Sequence, residues 1–83
     1  MSSNDTQRRA ILEIVLKKLR ALSPDERSSL CEVAKGPLAR SIPAPHQDAL
    51  VAAELGRHAL GGFMLTDIGT AAATVARESP SLI

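Results

Sequence analysis

The sequence predicts a mainly α-helical domain carrying one small two-stranded hairpin. Three observations lead there: a nearly aromatic-free aliphatic composition, three helix starts marked by capping residues, and a Gly-Gly pair between two short β-like runs. The chain has 83 residues, enough for one domain. Apolar residues make up 45% of it, and Phe63 stands alone among Phe, Tyr and Trp. The core must therefore be built from Leu, Ile, Val and Ala, a mixture that favours helices over an extensive sheet.

The first helix is expected over residues 5–22. Asn4, Asp5 or Thr6 can cap it, and Ile11, Leu12, Val15, Leu16, Leu19 and Leu22 recur at helical spacing. Ile14 falls about 100° or more off that stripe at ~3.6 residues per turn, which makes it a candidate for a second contact surface. Arg9, Lys17 and Arg20 share the solvated face. Ser23-Pro24-Asp25-Glu26 then starts a second helix, with Ser23 as cap, Pro24 at the first helical position and Glu26 closing a capping box. It is expected to run to about Lys35 and to end at Gly36-Pro37.

Leu38 to Ile42 reads as a short extended piece, and Pro43 and Pro45 as chain breaks. A third helix is expected over 46–55, anchored by Leu50 and Leu55. Arg57 to Leu60 and Phe63 to Leu65 read as paired strands joined by a Gly61-Gly62 turn. Met64 is expected in the core beside Phe63. Thr66 caps the last helix, in which Ile68, Ala71, Ala72 and Val75 face inward, and Pro80 stops it. The resulting division is an N-terminal helix (1–22), a compact module (23–79) and a tail (80–83).

This order of elements resembles the winged helix-turn-helix family in its compact MarR-like form. Leu22-Ser23-Pro24-Asp25-Glu26-Arg27, the helix Ala49 to Leu55, and the Leu65-Thr66-Asp67-Ile68-Gly69-Thr70-Ala71-Ala72 junction carry the resemblance, over about 55 residues. Glu54 stands where that family often has glycine. The resemblance implies a mainly α winged helix-turn-helix with a two-stranded wing and an extra N-terminal helix. It also implies a double-stranded DNA partner, with the third helix in the major groove and the wing on the backbone. Gln47 would then read an adenine edge and Val51 a thymine methyl, beside His46, while Arg40, Ser41, Arg57 and His58 hold phosphates. Many such regulators dimerise through added helices. Ile11, Ile14, Val15, Lys18 and Leu22 are the expected contacts of a homodimer, which would present two heads to a palindromic site.

Two functions follow from different premises. One is a small DNA-binding transcriptional regulator, a repressor acting by occupancy. The other is a protein-interaction module of winged-helix shape, such as an antiactivator or a phage- or mobile-element-encoded inhibitor. The resemblance makes the DNA-binding regulator the first reading, whereas the net charge of +1 and a third helix bearing Asp48 and Glu54 but no Lys speak for the second. Positive charge instead gathers at Arg8, Arg9, Lys17, Lys18 and Arg20.

No enzyme, cofactor or metal site is expected. His46 and His58 have no further ligands at zinc spacing, Cys31 lies in an apolar helix segment, and no nucleophile or phosphate-loop motif occurs. A single cysteine, a polar start without a leader pattern and the lack of a long apolar run predict a cytoplasmic protein outside the membrane.

Overall fold

The computed structural model describes residues 3–36 and 40–83. Its elements are α1 (Ser3–Ala21), α2 (Pro24–Val33), α3 (Ala44–Ala52), β1 (Gly56–Ala59), β2 (Gly62–Leu65), α4 (Asp67–Glu78) and a closing 3₁₀ turn (Pro80–Leu82). This is a winged helix-turn-helix with a small wing and an added N-terminal helix. The wing is an antiparallel pair in which Arg57 faces Met64 and His58 faces Phe63. Among the described residues no helix is long and apolar enough to cross a membrane.

Local chemistry sets several boundaries. Ser23 Oγ accepts from the Glu26 amide at 3.1 Å, and the Ser23 amide donates to Glu26 Oε1 at 2.7 Å, so the capping box is complete. Thr66 Oγ1 caps α4 by accepting from the Gly69 amide at 3.0 Å. A side chain at Gly69 would run into the Leu55 carbonyl, so this glycine lets α4 press against the start of the wing. Val15, Leu19, Leu30, Leu50 and Leu55 are the largest fully buried side chains. They close around Ala72 and Ala73, whose small size brings α4 close to α1 and α2.

Several expectations need correction. The third helix spans Ala44–Ala52, not 46–55. Pro43 is its N-cap and Pro45 lies in its first turn, where a missing amide proton is tolerated because those amides have no helical partner. The helix stops early because Glu54 adopts a left-handed φ of 63°. The second helix ends at Val33, before Lys35. The hairpin is shifted by one residue: Leu60 and Gly61 form the turn, with Gly61 at a φ of 94°, and Gly62 starts β2. Met64 is exposed rather than in the core, because strand alternation puts it on the wing's outer face with Arg57. No strand occurs over residues 40–42, and the rest of the expected extended piece, with the Pro37 break, lies outside the described residues.

The first helix departs from its expected packing in an informative way. Val15, Leu19 and Leu22 are buried, but Ile11 and Leu12 are exposed, as is every described side chain from Asp5 to Ile14. A 19-residue helix is about 28 Å long, more than the module can cover. The molecule measures 42 × 25 × 22 Å.

Candidate functional site

The resemblance assigns recognition to the third helix, which makes the outward face of α3 the first candidate surface. Its inward side is fixed by the fully buried Leu50. Its exposed residues are Ala44, Pro45, Asp48, Val51 and Ala52. Four are apolar, and the one polar side chain is a carboxylate.

The two residues expected to begin DNA reading there turn inward instead. His46 is half-buried, and its Nδ1 is hydrogen-bonded to Oγ of the buried Ser29 at 2.6 Å. Gln47 is half-buried, and its Nε2 donates to the Ile42 carbonyl at 3.1 Å. Both fall on the Leu50 side of the helix, about 40° and 60° from Leu50 at ~100° per residue.

The remaining candidates divide between two sides of the wing. Arg40, Ser41, Gln47 and His58 line one groove, together with Phe63 and Arg77. The His58 ring meets Phe63 edge-on, with centroids 5.2 Å apart. Arg57 instead pairs across the strands with Met64 on the outer face, and the Leu60 side chain at the turn is fully exposed. Val51 is exposed on α3, separate from the groove. The structure therefore does not bring all seven candidate DNA contacts to one surface.

Much of the basic charge is already engaged. Lys18 Nζ donates to the Ala53 carbonyl at 2.7 Å and so closes the C-terminal end of α3. Arg20 donates to the Leu82 carbonyl at 2.8 Å, and Arg27 to the carbonyls of Leu19 and Leu22 at 2.9 and 2.7 Å. Lys35 pairs with Glu32 at 2.8 Å, an interaction that, with the Arg40 amide, lowers the Glu32 pKa.

The junction from α3 into the wing is tightly held. Beyond the Lys18 contact, Thr66 Oγ1 donates to the Glu54 carbonyl at 2.7 Å, and the Thr66 amide to the Leu55 carbonyl at 3.0 Å. These bonds hold Glu54 in a conformation that glycine adopts more easily. Its carboxylate is left exposed beside the end of α3.

Of the expected dimer contacts, Val15 and Leu22 belong to the monomer core, and Lys18 is bonded to α3. Ile11 and Ile14 remain exposed. Burial raises the pKa of Cys31, which keeps the thiol protonated at neutral pH. Among the described residues, no group of three or more His, Cys, Asp or Glu side chains is placed to hold a metal ion.

No protein-family model, no curated protein and no solved structure matches the chain.

Proposed function

We propose that this chain is a winged-helix protein-interaction module that docks a partner on the outward face of α3. One observation carries this reading: the exposed face consists of Ala44, Pro45, Asp48, Val51 and Ala52, with no cation. Phosphate contacts dominate the affinity of DNA-binding surfaces and require Lys or Arg. An apolar surface with a single carboxylate would desolvate well against a protein and would repel a phosphate backbone. The engagement of Lys18, Arg20 and Arg27 by carbonyl oxygens supports the same reading.

The DNA-binding regulator is the second reading. It draws on Arg57, exposed on the wing's outer face, and on Arg40, exposed near the start of α3. Titration of random duplex DNA at low and moderate salt separates the two. A protein-binding module shows no binding in either condition. Binding at low salt that falls steeply as salt rises restores the DNA reading. In parallel, a protein other than the chain itself should be captured from source cells by the wild type and lost with Val51→Glu. Equal capture by the variant would move the docking site away from α3.

A further inference from the structure

Two surfaces stay uncovered in the monomer and form two walls open to a partner: the projecting half of α1 and the outward side of α3. Lys18 reaches the Ala53 carbonyl at the end of α3. Ile14 lies one turn before Lys18 on the same face of α1, and Ile11 lies one turn beyond that, about 6 and 10 Å further along at ~1.5 Å per residue. Ile11 and Ile14 are 50% and 47% exposed, so α1 presents a nearly half-open aliphatic ridge on the side from which Lys18 reaches the end of α3. On α3, Val51 and Ala52 are also exposed.

The two walls are complementary in charge. Around the Ile11–Ile14 seam, Arg8 and Lys17 fall about 90° to either side at ~100° per residue, and both are exposed. The α3 wall carries the exposed carboxylates of Asp48 and Glu54, and residues 44–55 contain no Lys or Arg. Each wall thus offers what the other lacks, and among the described residues no ion pair joins them within one chain.

We infer that a second copy of the chain covers both walls, bound by reciprocal exchange. The α1 projection of each copy lies along α3 of the other, about a two-fold axis. Area argues for this arrangement over simple α1–α1 pairing. The ten projecting residues offer a face of roughly 15 by 10 Å, whereas a stable interface buries about 800 Å² per partner. Val15 and Leu22 cannot enlarge it, because they are core residues. Reciprocal exchange uses both walls of both copies. The same contact covers Val51 and Asp48, so self-association competes with any other partner of α3. The inference does not depend on which partner that is.

The test is sedimentation of the full chain across a concentration series, with circular dichroism as a folding control. Wild type should dimerise, and more weakly at high salt. Ile14→Asp on α1 and Asp48→Lys on α3 should each weaken dimerisation by roughly tenfold or more. Both positions are exposed, and Val51→Asp serves as a second α3 variant should Asp48→Lys fold poorly. Mixing Ile14→Asp with Asp48→Lys should form a heterodimer, because the intact α1 of one still meets the intact α3 of the other. A wild type that stays monomeric to millimolar concentration overturns the inference. So does an Asp48→Lys variant that dimerises as well as wild type, or a mixture that fails to pair.

Discussion

The two helices at the centre of the module, α2 and α3, are held in opposite ways. α2 starts from its own residues: Ser23 and Glu26 bond each other's backbone amides within four positions. It then buries Ser29 and Leu30. α3 has no side-chain cap at its start and buries one residue completely, Leu50. Its position is set from outside: Ser29 of α2 on His46, the Ile42 carbonyl on Gln47, and Lys18 of α1 on its last turn. The difference teaches that the helix presenting the candidate surface is the one whose own sequence specifies it least. Its outward side is thereby free to carry residues chosen for contact rather than for folding.

The largest expected effect tests how far α3 depends on its single anchor. Leu50→Ala removes the one fully buried side chain of the helix and should cost about 2–5 kcal/mol. For a domain whose total stability is on the order of 5–15 kcal/mol, that is a large share, read directly as a lower urea midpoint with an unchanged slope. A loss under about 1 kcal/mol would mean that the polar contacts from neighbouring elements, and not Leu50, hold α3 in place.

A smaller effect isolates one of those outside contacts. Lys18→Met keeps most of the aliphatic stem but deletes the donor to the Ala53 carbonyl. The loss should be about 1 kcal/mol, concentrated at the end of α3. Amide exchange should quicken at Ala53 to Leu55 and stay unchanged in α2. Uniform acceleration across both helices would show that Lys18 supports the whole fold rather than positioning α3.

The same contrast explains what was legible in the sequence. The start of α2 could be read because Ser23, Pro24 and Glu26 act on one another locally, and Thr66 with Gly69 marks the start of α4 in the same way. The bounds of α3 could not. Pro43 and Pro45 have the same local signature whether they break a chain or open a helix. The early end depends on Glu54 taking a left-handed φ, which Thr66 holds from twelve residues away. The inward turn of His46 and Gln47 is a separate matter: both lie within about 60° of Leu50 at ~100° per residue wherever the helix starts, and their partners, Ser29 and the Ile42 carbonyl, come from outside the helix. The overhang of α1 was half legible. Ile14 stood out by its angle, but the exposure of Ile11 and Leu12 depends on how much of α1 the rest of the fold covers, which helical periodicity does not encode.

The smallest effect concerns the self-contained helix, and its signature is pH dependence. The Glu26 carboxyl is held below its ordinary pKa, first by the Ser23 amide that donates to it and also by the Ser23 hydroxyl and the nearby His46. A carboxyl with a depressed pKa in the folded state contributes its full stabilisation above its unfolded value of about 4.3. It loses that contribution as pH falls through the lower folded value. Glu26→Gln keeps an acceptor for the Ser23 amide but has no charge to favour the start of α2. The variant should therefore be less stable than wild type at pH 7, and the gap should narrow as pH falls from about 5 to 2. Glu32, whose carboxyl is also lowered, titrates in both proteins and cancels in the difference. Urea midpoints of the pair at pH 7, 5, 4 and 3 read this directly. A gap that stays constant down to pH 3 would mean that α2 owes its start to the Ser23 hydroxyl and Pro24 alone, with the Glu26 charge contributing nothing.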